Sequence, residues 1–174
     1  VTSGLPRGLA DIVDWLSARG DCPLSLGDIY RHFAGSDWLQ YVVLAVETED
    51  NYQIVRYPEI ATSVSGLPRT QGICLTDVYP AAWRGDILAV IRAASSTVAC
   101  WKVRRRIHGP DRMLETEFWR FSFPFGSTKE GFKNLAIILY PANEEARKSV
   151  VKHLKDKREP IPDTLAEKGM LGEE

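Results

Sequence analysis

Two segments of this sequence are apolar at odd and even positions alike, and they constrain the fold more than any other feature. Residues 40–48 read QYVVLAVET, and residues 135–140 read LAIILY. A strand with one face in water alternates between apolar and polar side chains, so a run that is apolar on both parities predicts a strand covered on both faces. We therefore expect these two strands to be neighbours at the middle of one antiparallel sheet.

Three further segments predict the strands that flank this pair. Residues 52–57 (YQIVRY) follow the first strand after the polar turn 49–51, which indicates a hairpin. Residues 98–107 alternate between apolar and basic side chains, and residues 114–125 place aromatic side chains on one parity. The sequence thus predicts a sheet of five strands.

Helices are predicted before and after the first β-hairpin along the chain. Residues 6–19 carry one apolar face at helical spacing, and residues 26–33 follow an S-x-x-D start signal. Short helical turns over 59–64 and 75–79 and a longer helix over 80–94 then lead to the third strand. These helices must cover one face of the sheet, which gives an α+β fold. A last helix begins near Asn143, and we expect a loose end beyond residue 159.

The order of these elements resembles that of a PAS domain. Four stretches carry the resemblance: YQIVRY at 52–57, GLPRTQG at 66–72, LTDVY at 75–79 followed by Pro80, and the final pair of strands with FPF at 123–125. The chain is similar to small bacterial proteins that carry this domain almost alone. It departs from the family where Pro58 replaces a usual glycine and where Arg56 is displaced by about one position.

The resemblance implies a five-stranded antiparallel PAS-like sheet with short helices on one face. Residues 1–36 would form an N-terminal helical extension, residues 37–141 the PAS-like domain, and residues 142–174 a C-terminal helix and loose tail. The implied function is that of a non-enzymatic sensory or signalling module, which binds a small molecule, a protein partner or both and transmits its state through the flanking helices. The candidate pocket residues are Tyr57, Ile60, Ile73, Trp83, Ile87, Trp101 and Phe121.

Besides a nucleic-acid binder that would use Arg104 and Arg106, and that the net charge disfavours, two other functions fit the sequence. One is a protein-protein interaction or homodimerisation domain with a filled core and no ligand, since the aromatic residues of the last strands suit core packing as well as a pocket. The other is a small α+β enzyme with a polar cleft. Glu115 and Glu117 share one face of a strand, but a solvated face explains them more simply.

Cofactor and metal chemistry receives little support from the sequence. The histidines His32, His108 and His153 have no second His or Cys at metal-ligand spacing, and the resemblance would require an axial His near the middle helices for heme. The flavin photosensor signature of this fold is absent around Cys74. We therefore name no cofactor and no metal.

Composition narrows the partners and the compartment. With 22 Lys and Arg residues against 23 Asp and Glu residues, the formal net charge is -1, which argues against binding dominated by nucleic-acid electrostatics. The run 102–106 (KVRRR) is locally basic, but Glu115 and Glu117 across a hairpin are expected to pair with it. Three dispersed cysteines and the absence of an apolar run of membrane-spanning length favour the cytoplasm. The 174 residues leave no room for an output domain, so we expect a fragment of a longer protein or action on a separate one.

Overall fold

A computed structural model describes residues 4–34, 36, 38–65, 72–78, 81–94, 98–108, 113–127, 133–143, 145 and 148. Its five strands form one antiparallel sheet in the order β2-β1-β5-β4-β3. The first and last strands therefore lie side by side at the centre, which confirms the prediction made from their apolar residues. The strands are β1 (Val42–Glu47), β2 (Tyr52–Arg56), β3 (Ala99–His108), β4 (Met113–Ser127) and β5 (Lys133–Pro141).

Helices precede the sheet and connect its second strand to its third. The α-helices are α1 (Arg7–Ala18), α2 (Leu26–Phe33), α3 (Glu59–Ser65) and α4 (Arg84–Ala94), with short 3₁₀ turns at Trp38–Tyr41, Leu75–Val78 and Ala81–Trp83. The coarse α+β class is confirmed. Of the predicted C-terminal helix only residues 145 and 148 are described, and both are helical. The remainder of the predicted segment 142–174 lies outside the described residues, apart from 142 and 143.

The helical hairpin formed by α1 and α2 follows directly from local sequence signals. Gly20, at φ 59°, comes two residues after the end of α1. At the start of α2 the Ser25 hydroxyl accepts from the Asp28 N–H at 3.1 Å, and the Asp28 carboxylate accepts from the Ser25 N–H at 2.9 Å. This reciprocal capping satisfies two of the backbone donors that a helix start leaves without partners.

The helical hairpin packs on one face of the sheet, which we call the hairpin face. Strand register places Val42, Ile138 and Phe121 in one row across β1, β5 and β4 and Leu44, Ala136 and Phe123 in the next but one. Trp15 of α1 meets the Phe123 ring edge-on at 6.4 Å between centroids. Buried residues of α1 and α2 thus share a core with the sheet: Leu9, Ile12, Leu26, Ile29 and Phe33.

The opposite face is covered by the β2-to-β3 connection, and we call it the crossover face. It includes Val43, Ile137 and Ser122, which stand in one row of the register and are all buried. Helix α3 packs against β4 and β5. Because α1 and α2 occupy the hairpin face, α3 covers the crossover face. Both faces of the central strands are therefore buried, as predicted from the apolar side chains at their odd and even positions alike.

Several boundaries differ from the sequence prediction; the helix predicted over residues 80–94, for example, is an α-helix only from Arg84 onward. Gln40 and Tyr41 lie in a 3₁₀ turn instead of β1, because the buried guanidinium of Arg56 binds the carbonyl oxygens of Leu39 at 2.5 Å and Val42 at 2.6 Å. Strand β4 continues to Ser127 through a register shift after Phe125. His108, predicted in a loop, is the last residue of β3.

Candidate binding sites on the two faces of the sheet

The seven residues predicted to form a pocket are distributed over several parts of the fold. Tyr57 and Ile60 are buried where β2 leads into α3. Ile87 is half-buried and packs against the core from α4. Ile73 is 39% exposed and lies outside β2, where its carbonyl accepts from the Ile54 N–H at 2.9 Å. The side chains of Trp83 and Trp101 lie outside the described part of the structure.

Phe121 is separated from the predicted pocket by the sheet itself. It is fully buried on the hairpin face, where its ring lies 5.9 Å from that of Phe123. In the register Phe121 stands opposite Cys100, whereas Trp101 stands opposite Arg120, one position along. The structure thus brings Tyr57 and Ile60 to the α3 side and leaves Phe121 against the α1–α2 hairpin. The sequence alone does not determine this, because a slip of one residue exchanges the faces.

A polar group is enclosed at the centre of the crossover face. Ser122 is fully buried, and its hydroxyl has no hydrogen-bond partner among the described residues. The Oγ1 atom of Thr62, in the helix that covers this face, is likewise buried without a partner in the described part of the chain. Buried hydroxyls are nearly always paired, so such atoms mark places where a ligand atom or an ordered water can bind.

Ser122 is not identified as a buried residue from the sequence. It alternates with the aromatic residues of its strand, so it falls on the face that the sequence predicts to be in solvent. The useful signal lies in the neighbouring strand. β5 is apolar on both parities, so its partner β4 must also be covered on both faces, and Ser122 then falls inside.

A second concavity lies at the end of the sheet where β4 ends and β5 begins. It has a volume of about 520 Å³, is open to solvent, and is bordered by the α1–α2 linker (residues 19–25) and the strand ends. We call it the linker cleft. Its apolar walls are Leu16, Leu24, Val98, Phe123, Pro124 and Phe125. Its polar rim includes Arg19, Asp21, Cys22 and Lys133.

Ion pairs and stacking hold the hairpin that borders this cleft. Arg19 of the linker reaches Asp28 of α2 at 3.0 Å, and Arg31 binds the other carboxylate oxygen at 2.8 Å. The Ser25 N–H and then the Arg31 guanidinium lower the pKa of Asp28 to about 2. His32 stacks on Trp15 with 3.9 Å between ring centroids, and burial lowers the pKa of His32. The linker is therefore pre-ordered.

The basic run of β3 is at least partly neutralised across the β3–β4 pair. Lys102 forms an ion pair with Glu117, and its ammonium lies 5.8 Å from the centre of the Trp119 ring. Arg104 stands opposite Glu117 in the register, and Arg106 opposite Glu115. The predicted pairing is confirmed for Lys102, while the side chains of residues 104–106 lie outside the described part.

Chemistry-bearing groups are otherwise dispersed. Within the described residues no three His, Cys, Asp or Glu side chains are placed to hold a metal ion. Burial raises the pKa of the Cys100 thiol to about 11, so Cys100 is a weak nucleophile.

No helix among the described residues has the length and apolar character needed to cross a bilayer. The chain matches no known family model, and no curated protein matches it.

Proposed function

We propose that this chain is a PAS-like sensory or signalling module that works by binding and not by catalysis. The observation that carries the proposal is the crossover. The chain leaves one edge of a five-stranded antiparallel sheet, covers one face with short helices and returns as the strand at the other edge. This arrangement supports the resemblance, which was drawn from the order of elements and from short motifs. The fold itself leaves the ligand open.

The input site in this proposal is the layer between α3 and the crossover face. Ser122 supplies a hydroxyl there that the described residues leave without a partner, and Thr62 supplies a second from the helix side. The surrounding side chains are apolar, with Val43 and Ile137 in the same row as Ser122. A small, mostly apolar molecule with one polar atom suits such a layer.

The output in this proposal is the helical hairpin. Ser122 and Phe123 are consecutive residues of β4 and face opposite sides of the sheet. Phe123 touches Trp15 of α1, and the N–H of Gly126 near the end of the same strand donates to the Leu24 carbonyl in the linker at 2.5 Å. A ligand that shifts β4 therefore changes the free energy of docking the hairpin, which is a population shift between docked and undocked states.

Ligand retention tests the proposal. The full chain, purified without added ligand, is analysed by native mass spectrometry, and thermal shift with a small-molecule library follows. Ser122→Ala is compared with Ser17→Ala, a matched change at an exposed position of α1. We expect Ser122→Ala to bind the ligand about fivefold more weakly than the parent, since one hydrogen bond contributes about 1 kcal/mol, while Ser17→Ala should bind it with unchanged affinity.

The controls separate loss of binding from loss of fold. Removing an unpartnered buried hydroxyl leaves the ligand-free protein at least as stable, so the melting temperature of Ser122→Ala should not fall. Equal retention by both variants would move the input site away from Ser122. If no molecule is retained, no compound raises the melting temperature and the chain dimerises, the interaction domain with a filled core replaces the sensor.

A further inference from the structure

The linker cleft lies on the other side of the sheet from the proposed input site. Phe123 and Phe125, both of the hairpin face, form its aromatic wall, and Leu16 and Leu24 face them from α1 and the linker. Val98 completes the wall and is 46% exposed. A volume of about 520 Å³ falls in the range of small-molecule sites.

An unused amide lies next to this cleft. Asn134 of β5 is fully buried, and neither its Nδ2 nor its Oδ1 has a hydrogen-bond partner among the described residues. Within the described part of the chain, both a donor and an acceptor of this one side chain are therefore unsatisfied. Leaving such groups unpaired in an apolar interior is unfavourable, so native proteins almost always pair them.

Gly126 lies between the cleft and this amide. It lines the cleft, and a Cβ atom built on it would stand 3.6 Å from Asn134 Nδ2 and 3.7 Å from the Leu24 carbonyl oxygen. Gly126 has a φ of 50°, which a glycine adopts at little cost. Asn134 itself does not line the cleft, and because no side chain projects at position 126, a small backbone shift there or one bridging water would connect the amide to the cleft.

The shape and the charges of the cleft define the ligand. An Asn amide is satisfied by a partner that presents an acceptor and a donor side by side, as a carboxamide or lactam edge does. The aromatic and aliphatic walls suit a ring. The rim carries both signs of charge, with Arg19 already paired to Asp28 and Asp21 beside it in the cleft. A neutral molecule is therefore favoured over an anion or a cation.

We propose that the linker cleft is a second binding site, for a small neutral ring compound with a carboxamide or lactam edge that pairs with the Asn134 side chain. The observations behind this site are the cleft and Asn134, and they do not include the input site on the crossover face. A ligand there contacts Leu16 of α1 and the linker residues at once, so it stabilises the docked hairpin.

The experiment titrates benzamide into the full chain and follows the Asn134 side-chain NH₂ and the Gly126 amide by NMR. N,N-dimethylbenzamide is the matched probe, because it keeps the ring and the acceptor but lacks the N–H donors. We expect benzamide to shift both resonances saturably and to bind at least tenfold more tightly than the dimethyl compound. Equal affinities, or shifts confined to other residues, would overturn the assignment.

Three variants make the test independent of folding. Val98→Trp fills the cleft from an exposed position, and Ile73→Trp is its control at an exposed apolar position outside the cleft. Benzamide affinity should fall at least tenfold in the first and stay unchanged in the second. Asn134→Leu, of similar size, should fold and bind both probes alike. A Leu variant that still prefers benzamide would show that Asn134 holds only a structural water.

Discussion

Two charged residues of this fold bind backbone groups and thereby fix the conformation of nearby turns. Arg56 is 3% exposed, and its guanidinium binds the carbonyl of Leu39, within the 3₁₀ turn, and that of Val42, the first residue of β1. Asp28 closes the start of α2 and links it to Arg19 in the linker. In both cases one charged side chain fixes a backbone turn that apolar packing alone would leave undetermined.

The carboxylate of Asp28 should give acid stability a specific source. Its folded pKa is about 2 and lies below the ordinary value of 3.8, so its contribution to stability is complete above about pH 4 and is lost as the pH falls toward 2. We expect Asp28→Asn to lower the melting temperature at pH 6 and to flatten its dependence on pH between 4 and 2. The measurement is thermal unfolding across pH, with Asp14→Asn on the exposed side of α1 as control. Parallel curves for both variants and the parent would contradict this role.

Among the elements, the helical hairpin is positioned by close packing near its start. Gly8 of α1 faces the ring of Trp38, and a Cβ atom at position 8 would overlap that ring. Trp38 has little room to move, because it stacks on Tyr140 at 4.9 Å and lies 6.5 Å from the ring of Phe33. The absence of a side chain at Gly8 lets α1 lie directly against the ring of Trp38. A glycine lowers the intrinsic helix propensity of α1, and this close packing compensates for that loss.

Two glycine substitutions should therefore act in opposite directions. Alanine exceeds glycine in helix propensity by up to about 1 kcal/mol, and Gly27→Ala in α2 meets only ordinary contacts, so it should raise stability by a fraction of that. Gly8→Ala should lower stability by about 1–3 kcal/mol, the usual cost of overpacking. Chemical denaturation of both variants measures the difference. A Gly8→Ala protein more stable than the parent would mean that Trp38 yields easily.

Much of the element order was predictable, and the reason lies in particular residues. The double parity of 135–140 placed β5 at the centre, and Ser25 with Asp28 located α2. The face on which Phe121 lies was not predictable. Alternation sorts the residues of a strand into two sets, but it does not tell which set faces which layer of helices. The linker cleft was also missed: its walls come from α1, the linker and three strand ends, which only tertiary packing brings together.

At the scale of the whole molecule, both faces of the central strands are covered from within the chain. The outer edge of β2 is also occupied, since Gln53 bridges to Cys74 and the Gly72 N–H donates to the Ile54 carbonyl at 2.8 Å. The helical hairpin thus belongs to the same core as the sheet, although its sequence reads as an extension.

A chain that begins at residue 37 tests how far the sheet depends on the hairpin. It would uncover Leu44, Phe121 and Phe123, which are at most 1% exposed in the full chain. We expect such a chain to bind a hydrophobic dye and to lose its cooperative melting transition, because a large apolar patch is left in water. The full chain at equal concentration is the control. A soluble monomer with a sharp transition would show that residues 1–36 are a dispensable extension.

The hydrogen bond from the Gly126 N–H to the Leu24 carbonyl makes one backbone amide a probe of how the helical hairpin is docked. A single backbone amide near the end of β4 is protected by the linker between two helices and not by a neighbouring strand. Its hydrogen exchanges with solvent deuterium only when the linker lifts away, whereas the amides of β5 at the sheet centre wait for larger openings. The ratio of the intrinsic to the observed exchange rate of the Gly126 amide therefore gives the free energy of hairpin undocking, and the slower β5 amides report the larger openings.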